Sequence, residues 1–538
     1  MHNIACKLSE TAAKFGKKTG LVEVSSGRSL TFYELDRRAA QYASYLESQG
    51  VEAGMRVMLM VKPSADFICL TFALFRIGAP VILIDPGMGY KNLLKCIAGV
   101  KPDYLVGVPQ ALMFRTIFRK SFRTVKKSFS CGKLYGIPGT DIREKALLHA
   151  PSQQMFDARD DSLAAIIFTT GSTGPPKGVR FEHSIFSAQL RYIEKYYEIG
   201  PEDVDQPGFP LFALFSTALG ACAVIPDMNP SQPARVNPEK FISSILKYQV
   251  TYSFGSPAIW NVVSNYCREE GIRSSSLKKI LMAGAPVSGE LIERAYSLME
   301  EDGKIFTPYG ATESLPIVSI EGREILEKTW AKTRTGHGTC VGRPLPGIEV
   351  KIIEATSDRL HSIADCIELP ANEIGEIIVK GDVVTRCYEN NRLETEMSKI
   401  TDEKGFWHRI GDVGYFDNSK RLWFCGRKAH RVVSQKGVMD TIPCEAIINE
   451  HPCVYRSALV GLGQGDGYEI PAIIVELTQQ TDRSDDIVLQ EVRQLAGNHS
   501  NTKDIKHFLI HPSFPVDIRH NAKIFREKLK VWAEGKLA

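Results

Sequence analysis

The sequence predicts an α/β protein whose parallel sheets give way to an antiparallel or barrel-like region and then to a small mixed segment. Three observations predict it. Short apolar runs alternate with segments of helical period over most of the chain. After about Val341 the texture changes to short strands with frequent turns, and a small mixed pattern runs on from about Gly426. At 538 residues the chain exceeds one compact domain, because roughly 150 residues per domain gives three or four units.

Ala73-Leu-Phe-Arg-Ile-Gly-Ala-Pro-Val-Ile-Leu-Ile84 reads as helix, turn and buried strand, since Gly78 and Pro80 stop the helix. The apolar stretch Phe67 to Ile84 is broken by Arg76, Gly78 and Pro80, so a membrane span is not expected. Ala164 to Phe168 and Lys279 to Ala283 read as further buried strands of parallel sheets, whose sites lie at the carboxyl ends of strands. Gly342-Arg-Pro-Leu-Pro-Gly347, Gly375 to Val379 and Gly405 to Gly411 carry the antiparallel texture. Gly461 to Gly467 lacks GxGxxG spacing and a following helix, and so reads as a hairpin turn. His507 and His511 fall in a strand-like run with no further ligand near, so no metal role is expected there.

Composition excludes several classes. With 43% hydrophobic and 24% charged residues, the chain buries a large core and is not disordered. Sixty-six basic against 62 acidic residues give +4, which argues against a surface built for nucleic acid. Twelve cysteines from Cys6 to Cys453 form no CxxC pair; reduced thiols in a cytoplasm are expected, not a disulfide framework or zinc module. Met1-His-Asn-Ile-Ala-Cys-Lys7 has no apolar h-region, which predicts no secretory signal.

The strongest local signal is Thr169-Thr-Gly-Ser-Thr-Gly-Pro-Pro-Lys177-Gly178, directly after the strand ending at Phe168. Gly171 and Gly174 let the backbone curl, the hydroxyls of Thr169, Thr170, Ser172 and Thr173 offer donors, and Lys177 supplies charge. That is the chemistry of a loop that cradles a polyphosphate. It departs from the Walker A pattern, because Gly178 follows the lysine and Pro175-Pro176 bars a helix from starting there. A flexible turn is the plainer reading, and the hydroxyl density beside a lysine argues against it.

With this loop the sequence resembles the adenylate-forming superfamily of acyl-CoA synthetases, luciferases and peptide-synthetase adenylation domains, over essentially the whole chain. Gly284-Ala285-Pro286 resembles the adenine-side loop. Tyr309-Gly310-Ala-Thr312-Glu313 resembles the motif whose tyrosine stacks on adenine, whose threonine contacts phosphate and whose glutamate ligates magnesium. Asp412 resembles the aspartate that holds both ribose hydroxyls, and Arg427 the ribose-contacting arginine at the domain junction. Asn521-Ala-Lys523-Ile resembles the C-terminal loop whose lysine bonds the substrate carboxylate and the α-phosphate.

The resemblance implies an N-terminal body of two stacked α/β subdomains and a distorted β-barrel, residues 1–425. A small mobile C-terminal α+β lid, residues 426–538, would follow. It also implies ATP and Mg2+, with Lys523, Glu313 and Lys177 as the catalytic groups. The physical logic agrees. Attack of a carboxylate on the α-phosphorus brings two anions together and expels pyrophosphate, so cations belong at both ends of the transfer. The plainer reading of Lys523 is a solvated lysine in a basic tail with Lys528 and Lys530.

Where thiol-ligating members carry Pro-Leu-Phe-His, this chain reads Phe209-Pro-Leu-Phe-Ala213-Leu-Phe-Ser-Thr-Ala-Leu-Gly220. The position two after Arg427 is Ala429, and the stretch beyond is Ser434-Gln-Lys-Gly437. With Thr307 to Glu313, Gly338 to Gly342, Leu422 to Lys428 and Phe514 to Lys523, these features resemble the β-lactone synthetases of long-chain olefin biosynthesis. That resemblance implies a 2-alkyl-3-hydroxyalkanoic acid, a hydroxy fatty acid whose own 3-hydroxyl attacks the adenylated carboxyl carbon and expels AMP. An internal nucleophile needs no thiol gate.

Two other readings stand beside it: a long-chain acyl-CoA or acyl-carrier ligase with a different gate, and an inactive acyl-nucleotide sensor. Retention of the pyrophosphate-handling groups counts against the sensor. Phe212, Ala213 and Phe215 either line an acyl tunnel or pack the core. His337 is a candidate base for ring closure, with an ordinary loop histidine as the plainer reading.

Phe114 to Lys127, FRTIFRKSFRTVKK, stands outside these motifs. At about 100° per residue, Ile117, Phe114, Val125, Phe118 and Phe122 share one arc, and Arg115, Arg119, Lys120, Arg123, Lys126 and Lys127 the opposite one. These six charges leave 60 basic against 62 acidic residues elsewhere. One reading is a helix whose apolar stripe packs on its own domain. The other is a helix on a membrane interface or an acidic partner such as a pathway enzyme, with Arg115, Arg119, Lys120 and Arg123 as the strip. The protein is then cytoplasmic and peripheral at the membrane.

Overall fold

The computed structural model describes residues 2–133, 140–169, 176–465, 467–478, 483–516 and 524–537. Two mostly parallel sheets build the N-terminal part. In one, the strands Lys127–Ser130, Tyr104–Gly107, Val57–Met60, Val81–Leu83, Leu163–Thr169 and Lys177–Glu182 lie side by side, the last antiparallel to its neighbour. In the other the order is Lys304–Phe306, Lys279–Met282, Tyr252–Gly255, Val204–Asp205, Cys222–Ile225, Thr19–Glu23 and Arg28–Thr31, again with an antiparallel final pair. One core joins them. Val57, Val81 and Ala165 of the first sheet and Leu21, Ala223 and Tyr252 of the second belong to a single buried cluster. The sheets are stacked on the helices they share.

The helix Ala65–Ile77 runs through that core with every residue buried. Ser64 caps its start, accepting from the Phe67 N–H, and Gly78 ends it at φ 79°. The Phe156 ring lies so close that a Cβ on Gly78 would stand 2.4 Å away, so no larger residue fits there. The Phe67–Ile84 stretch is thus helix, turn and strand. No helix among the described residues is long and apolar enough to cross a membrane.

The chain then turns antiparallel. Tyr309–Ala311, Ser314–Ser319, Thr339–Pro344, Leu422–Arg427, Gly405–Phe416, Gly375–Lys380 and Glu349–Ile353 pair in that order, with Lys399–Asp402 added to Gly405–Phe416. Register shifts interrupt several of these pairings and bend the sheet into the distorted barrel. Beyond Arg427 come the hairpin Val432–Ser434/Gly437–Met439 and a three-stranded sheet of Val454–Gly465, Tyr468–Leu477 and His507–Ile510. The helices Thr441–Ile448, Asp485–Gly497 and Arg526–Leu537 accompany them. The architecture is therefore α/β, with two stacked subdomains, a barrel and a small C-terminal α+β portion. Of the stretch expected to be a hairpin turn, Gly461 to Gly465 end the strand Val454–Gly465, Gly465 pairs with Tyr468 of the antiparallel partner, and Asp466 lies outside the described residues.

A buried cluster marks the junction. Glu376, fully buried, accepts from Lys428 Nζ at 2.8 Å on both oxygens and from Arg409 at 3.0 and 2.7 Å.

The segment 114–127 is not one helix, a correction to both readings of it. The helix Pro109–Ile117 stops, turns follow, and Lys127–Ser130 is an edge strand. The apolar side chains decide this: Phe122 and Val125 sink into the core under the sheet, with Phe114 and Phe118 packed against it. Arg115 folds back to donate to the Val125 carbonyl at 2.9 Å and to Ser128 Oγ at 2.8 Å, so it leaves the strip. Exposed there are Met113 and Ile117 together with Arg119, Lys120 and Arg123, and also Lys126 and Lys127, which pair with Asp103 and Gln49.

Candidate active site

The strands Leu163–Thr169 and Lys177–Glu182 form a hairpin in which Thr169 and Lys177 are register partners. Thr170, Gly171, Ser172, Thr173 and Gly174, between them, lie outside the described residues. Lys177 stands where the strand leaves that loop. Its ammonium pairs with Glu394 and sits 5.5 Å from the centroid of the Tyr388 ring. Tyr388 in turn donates at 2.7 Å to Oε1 of Glu313, at the turn of the hairpin Tyr309–Ala311/Ser314–Ser319. Burial and the Glu313 charge both push the Tyr388 hydroxyl up, so it stays a donor.

Backbone bonds explain why these groups meet. Glu389 N–H donates to the Gly178 carbonyl at 2.7 Å and Thr385 N–H to the Glu313 carbonyl at 2.8 Å, tying one segment to both. Lys399 completes the cluster: its amine donates to the Thr385 carbonyl, and burial pushes it down to about 7 while Glu313 opposes the shift.

On the other side, Tyr309 donates at 2.6 Å to Asp412 Oδ2, and Arg427 lies 2.9 Å from Asp412 Oδ1. Asp412 and Arg427 are opposed because their strands, Gly405–Phe416 and Leu422–Arg427, pair in that register. Burial raises the Asp412 carboxyl and Arg427 works against it. After the strand Lys279–Met282, Gly284 turns the chain at φ 98°. Gly284, Ala285 and Pro286 then border a cleft of about 520 Å³ together with Tyr309, Gly310, Thr312, Asp412 and Arg427.

The C-terminal portion borders the same cleft through Thr441, Ile442, Glu445, Ile524 and Arg526, with Arg526 2.6 Å from Glu445. Lys523 lies outside the described residues, next to Ile524 in the wall.

Phe212 opens the helix Phe212–Ala218, and its ring stacks on Phe254 with centroids 3.6 Å apart. The two rings border both the cleft and a second cavity of about 50 Å³, which Phe215 also borders. Ala213 borders neither; it is fully buried in the core of the stacked sheets. Asp205 lies in the wall of the second cavity, accepting from Ser216 Oγ, to which Tyr252 donates at 2.9 Å. Burial pushes Asp205 up to about 8. His337 is exposed, its Nδ1 3.1 Å from the Lys332 carbonyl, and borders neither cavity. Among the described residues no group of three His, Cys, Asp or Glu side chains is placed to hold a metal.

Sequence reasoning missed Tyr388, Glu394, Lys399, Thr441 and Asp205. Lys177 and Glu394 are 217 positions apart and Tyr388 and Glu313 are 75 apart, and no local pattern links them.

Stacked α/β sheets, a barrel and a small C-terminal portion around a cleft of this make-up define an adenylate-forming ligase, an enzyme class that uses ATP. The chain belongs to the AMP-binding enzyme family, whose model matches residues 8–389. It is 40% identical to an olefin beta-lactone synthetase of Stenotrophomonas maltophilia (strain K279a) over 94% of this chain and 92% of that protein. An olefin beta-lactone synthetase of Xanthomonas campestris pv. campestris is 39% identical over 94% and 91%. An acyl-CoA ligase of Ajellomyces capsulatus is 25% identical over 91% and 83%.

Two solved structures share the fold. The amide bond synthetase of Marinactinospora thermotolerans has a TM-score of 0.80 at 21% identity, with 98% of this chain and 99% of that one covered. An O-succinylbenzoate coenzyme A synthetase of Bacillus subtilis, in complex with ATP and magnesium ion, has a TM-score of 0.76 at 21% identity, covering 97% and 99%.

Proposed function

We propose that the chain converts a long-chain 2-alkyl-3-hydroxyalkanoic acid and ATP into a β-lactone, AMP and pyrophosphate. The observation that carries this reading is a contrast in likeness: 40% identity to an olefin beta-lactone synthetase over 94% of the chain, against 25% to an acyl-CoA ligase. In the first step a carboxylate oxygen bonds to the α-phosphorus and pyrophosphate leaves. Lys177, at the end of the hairpin loop, meets the leaving phosphates; Lys523, which precedes Ile524 in sequence, meets the carboxylate and the α-phosphate. Tyr309 stacks on adenine against Gly284, Ala285 and Pro286, Thr312 meets phosphate, and Asp412 with Arg427 takes the ribose.

Glu313 suits Mg2+. Tyr388 holds one of its oxygens, and this ion is ordinarily bound by one or two carboxylates together with substrate phosphates, so no larger acidic cluster is needed. When bound, the ion neutralises phosphate charge. In the second step the 3-hydroxyl oxygen bonds to the acyl carbon, the bond from that carbon to AMP breaks with its electron pair going to the AMP phosphate oxygen, and the hydroxyl proton passes to that phosphate or to water. The alkyl chains run past Phe212, whose ring stands between the cleft and the second cavity.

The test is direct. Protein, ATP, Mg2+ and a 2-alkyl-3-hydroxy acid give lactone and AMP whether or not coenzyme A is added. A CoA thioester with no lactone overturns the reading. Lys523→Ala loses pyrophosphate exchange by about 100-fold or more, as removal of a transition-state charge partner does elsewhere, and keeps near-normal ATP affinity.

The protein works in a cytoplasm, at a membrane face where such an acid partitions. Exposed Met113 and Ile117 beside Arg119, Lys120 and Arg123 support contact with an anionic lipid surface.

A further inference from the structure

We propose that Glu394 is a positioning residue that competes with pyrophosphate for Lys177: it holds the lysine until ATP arrives, and retakes it as pyrophosphate leaves. The inference rests on the role given above to Lys177.

Several observations converge on it. The ion pair joins residues far apart in the chain, and among the described residues the ion pair of Glu394 is to Lys177. Lys177 is 25% exposed and Glu394 36%, so an incoming anion reaches the lysine without unfolding anything. Glu394 is also aimed from its own side: its N–H donates to Asn391 Oδ1 at 3.2 Å in the first turn of the helix Arg392–Ser398. The segment that carries it is fastened to the lysine strand by the Glu389–Gly178 bond and by the bridge between Tyr388 and Val179.

A polyphosphate carries several charges where Glu394 carries one, so ATP displaces the carboxylate. After adenylation the carboxylate is still tethered within reach. It then acts at an effective concentration that a free anion does not match, and it shortens the stay of pyrophosphate on the lysine. No bond is made or broken in this exchange; one ion pair replaces another.

The experiment is calorimetric titration of pyrophosphate with Mg2+, and separately of ATP, into wild type, Glu394→Gln, Glu394→Ala and Lys177→Ala, with product inhibition by pyrophosphate measured alongside. A partly exposed pair contributes up to about 1 kcal/mol, so both Glu394 variants bind pyrophosphate about threefold to fivefold more tightly than wild type and suffer stronger product inhibition. Lys177→Ala binds more weakly. Unchanged or weaker binding by the Glu394 variants, with weaker binding by Lys177→Ala, overturns the inference and leaves the role of Lys177 intact. Unchanged binding by Lys177→Ala overturns both.

Discussion

Asp205 is an acid in a place that disfavours its charge. It is fully buried and its Oδ1 has no hydrogen-bond partner; burial holds its proton up to about pH 8. In the unfolded chain the same group ionises near pH 4. The folded state therefore binds a proton that the unfolded state has released, and stability falls as pH rises between about 4 and 8. Glu or Lys elsewhere titrate too, but they cancel when two variants are compared. Asp205→Asn thus gains on wild type by more than about 1.4 kcal/mol between pH 5 and pH 8, the free energy of a tenfold change in proton affinity, in denaturant unfolding at the two pH values. A constant difference counts against this. Asp205 was not legible in the sequence, where it is one acid in a two-residue strand. Tyr309, Asp412 and Arg427 were legible, because each lies in a short run that one strand or turn keeps together. Tyr388 and Glu394 act only through partners that folding brings near.

At the scale of elements, the strand Leu422–Arg427 and the helix Thr441–Ile448 meet closely at the edge of the cleft. Gly426 has φ 131°, and a Cβ there would lie 2.3 Å from Thr441 Oγ1. Gly437 has nearly the same backbone, φ 133°, with nothing within 4 Å. Alanine at either site stores about 1–3 kcal/mol of strain, read as lost unfolding free energy. Only Gly426→Ala also pushes back the helix that brings Thr441, Ile442 and Glu445 to the cleft, so only it raises the ATP dissociation constant, by tenfold or more in a binding titration, a change of about 1.4 kcal/mol. Equal ATP affinity in the two variants refutes this coupling. The buried strands and the helix Ala65–Ile77 could be read from apolar runs closed by Gly and Pro. The segment 114–127 could not, because angular periodicity reports a shared face only while the helix persists. Phe122 and Val125 gain more by sinking under the sheet than by extending it.

At the scale of the whole molecule, order along the chain was a sound guide: parallel sheets, then barrel, then a small mixed portion. The way the last portion covers the cleft was not readable, since it depends on side chains such as Ile442 and Arg526 meeting residues far earlier in sequence. The exposed Met113, Ile117, Arg119, Lys120 and Arg123 belong to this scale, because they face outward from the completed body. Each basic residue near an anionic surface contributes about 1 kcal/mol, so the proposed membrane contact predicts that wild type floats with anionic vesicles and that changing Arg119, Lys120 and Arg123 together to Glu removes that flotation. If both proteins ignore the vesicles, the membrane contact fails. Lys428 has a further consequence. To open the cleft by moving the residues past Arg427, Lys428 must be drawn off Glu376, a carboxylate that water does not reach. Salt screens a pair with one fully buried partner less than it screens a surface pair. For the proposed reaction, which ends within one substrate molecule, a junction held by this pair would keep water out while the ring forms.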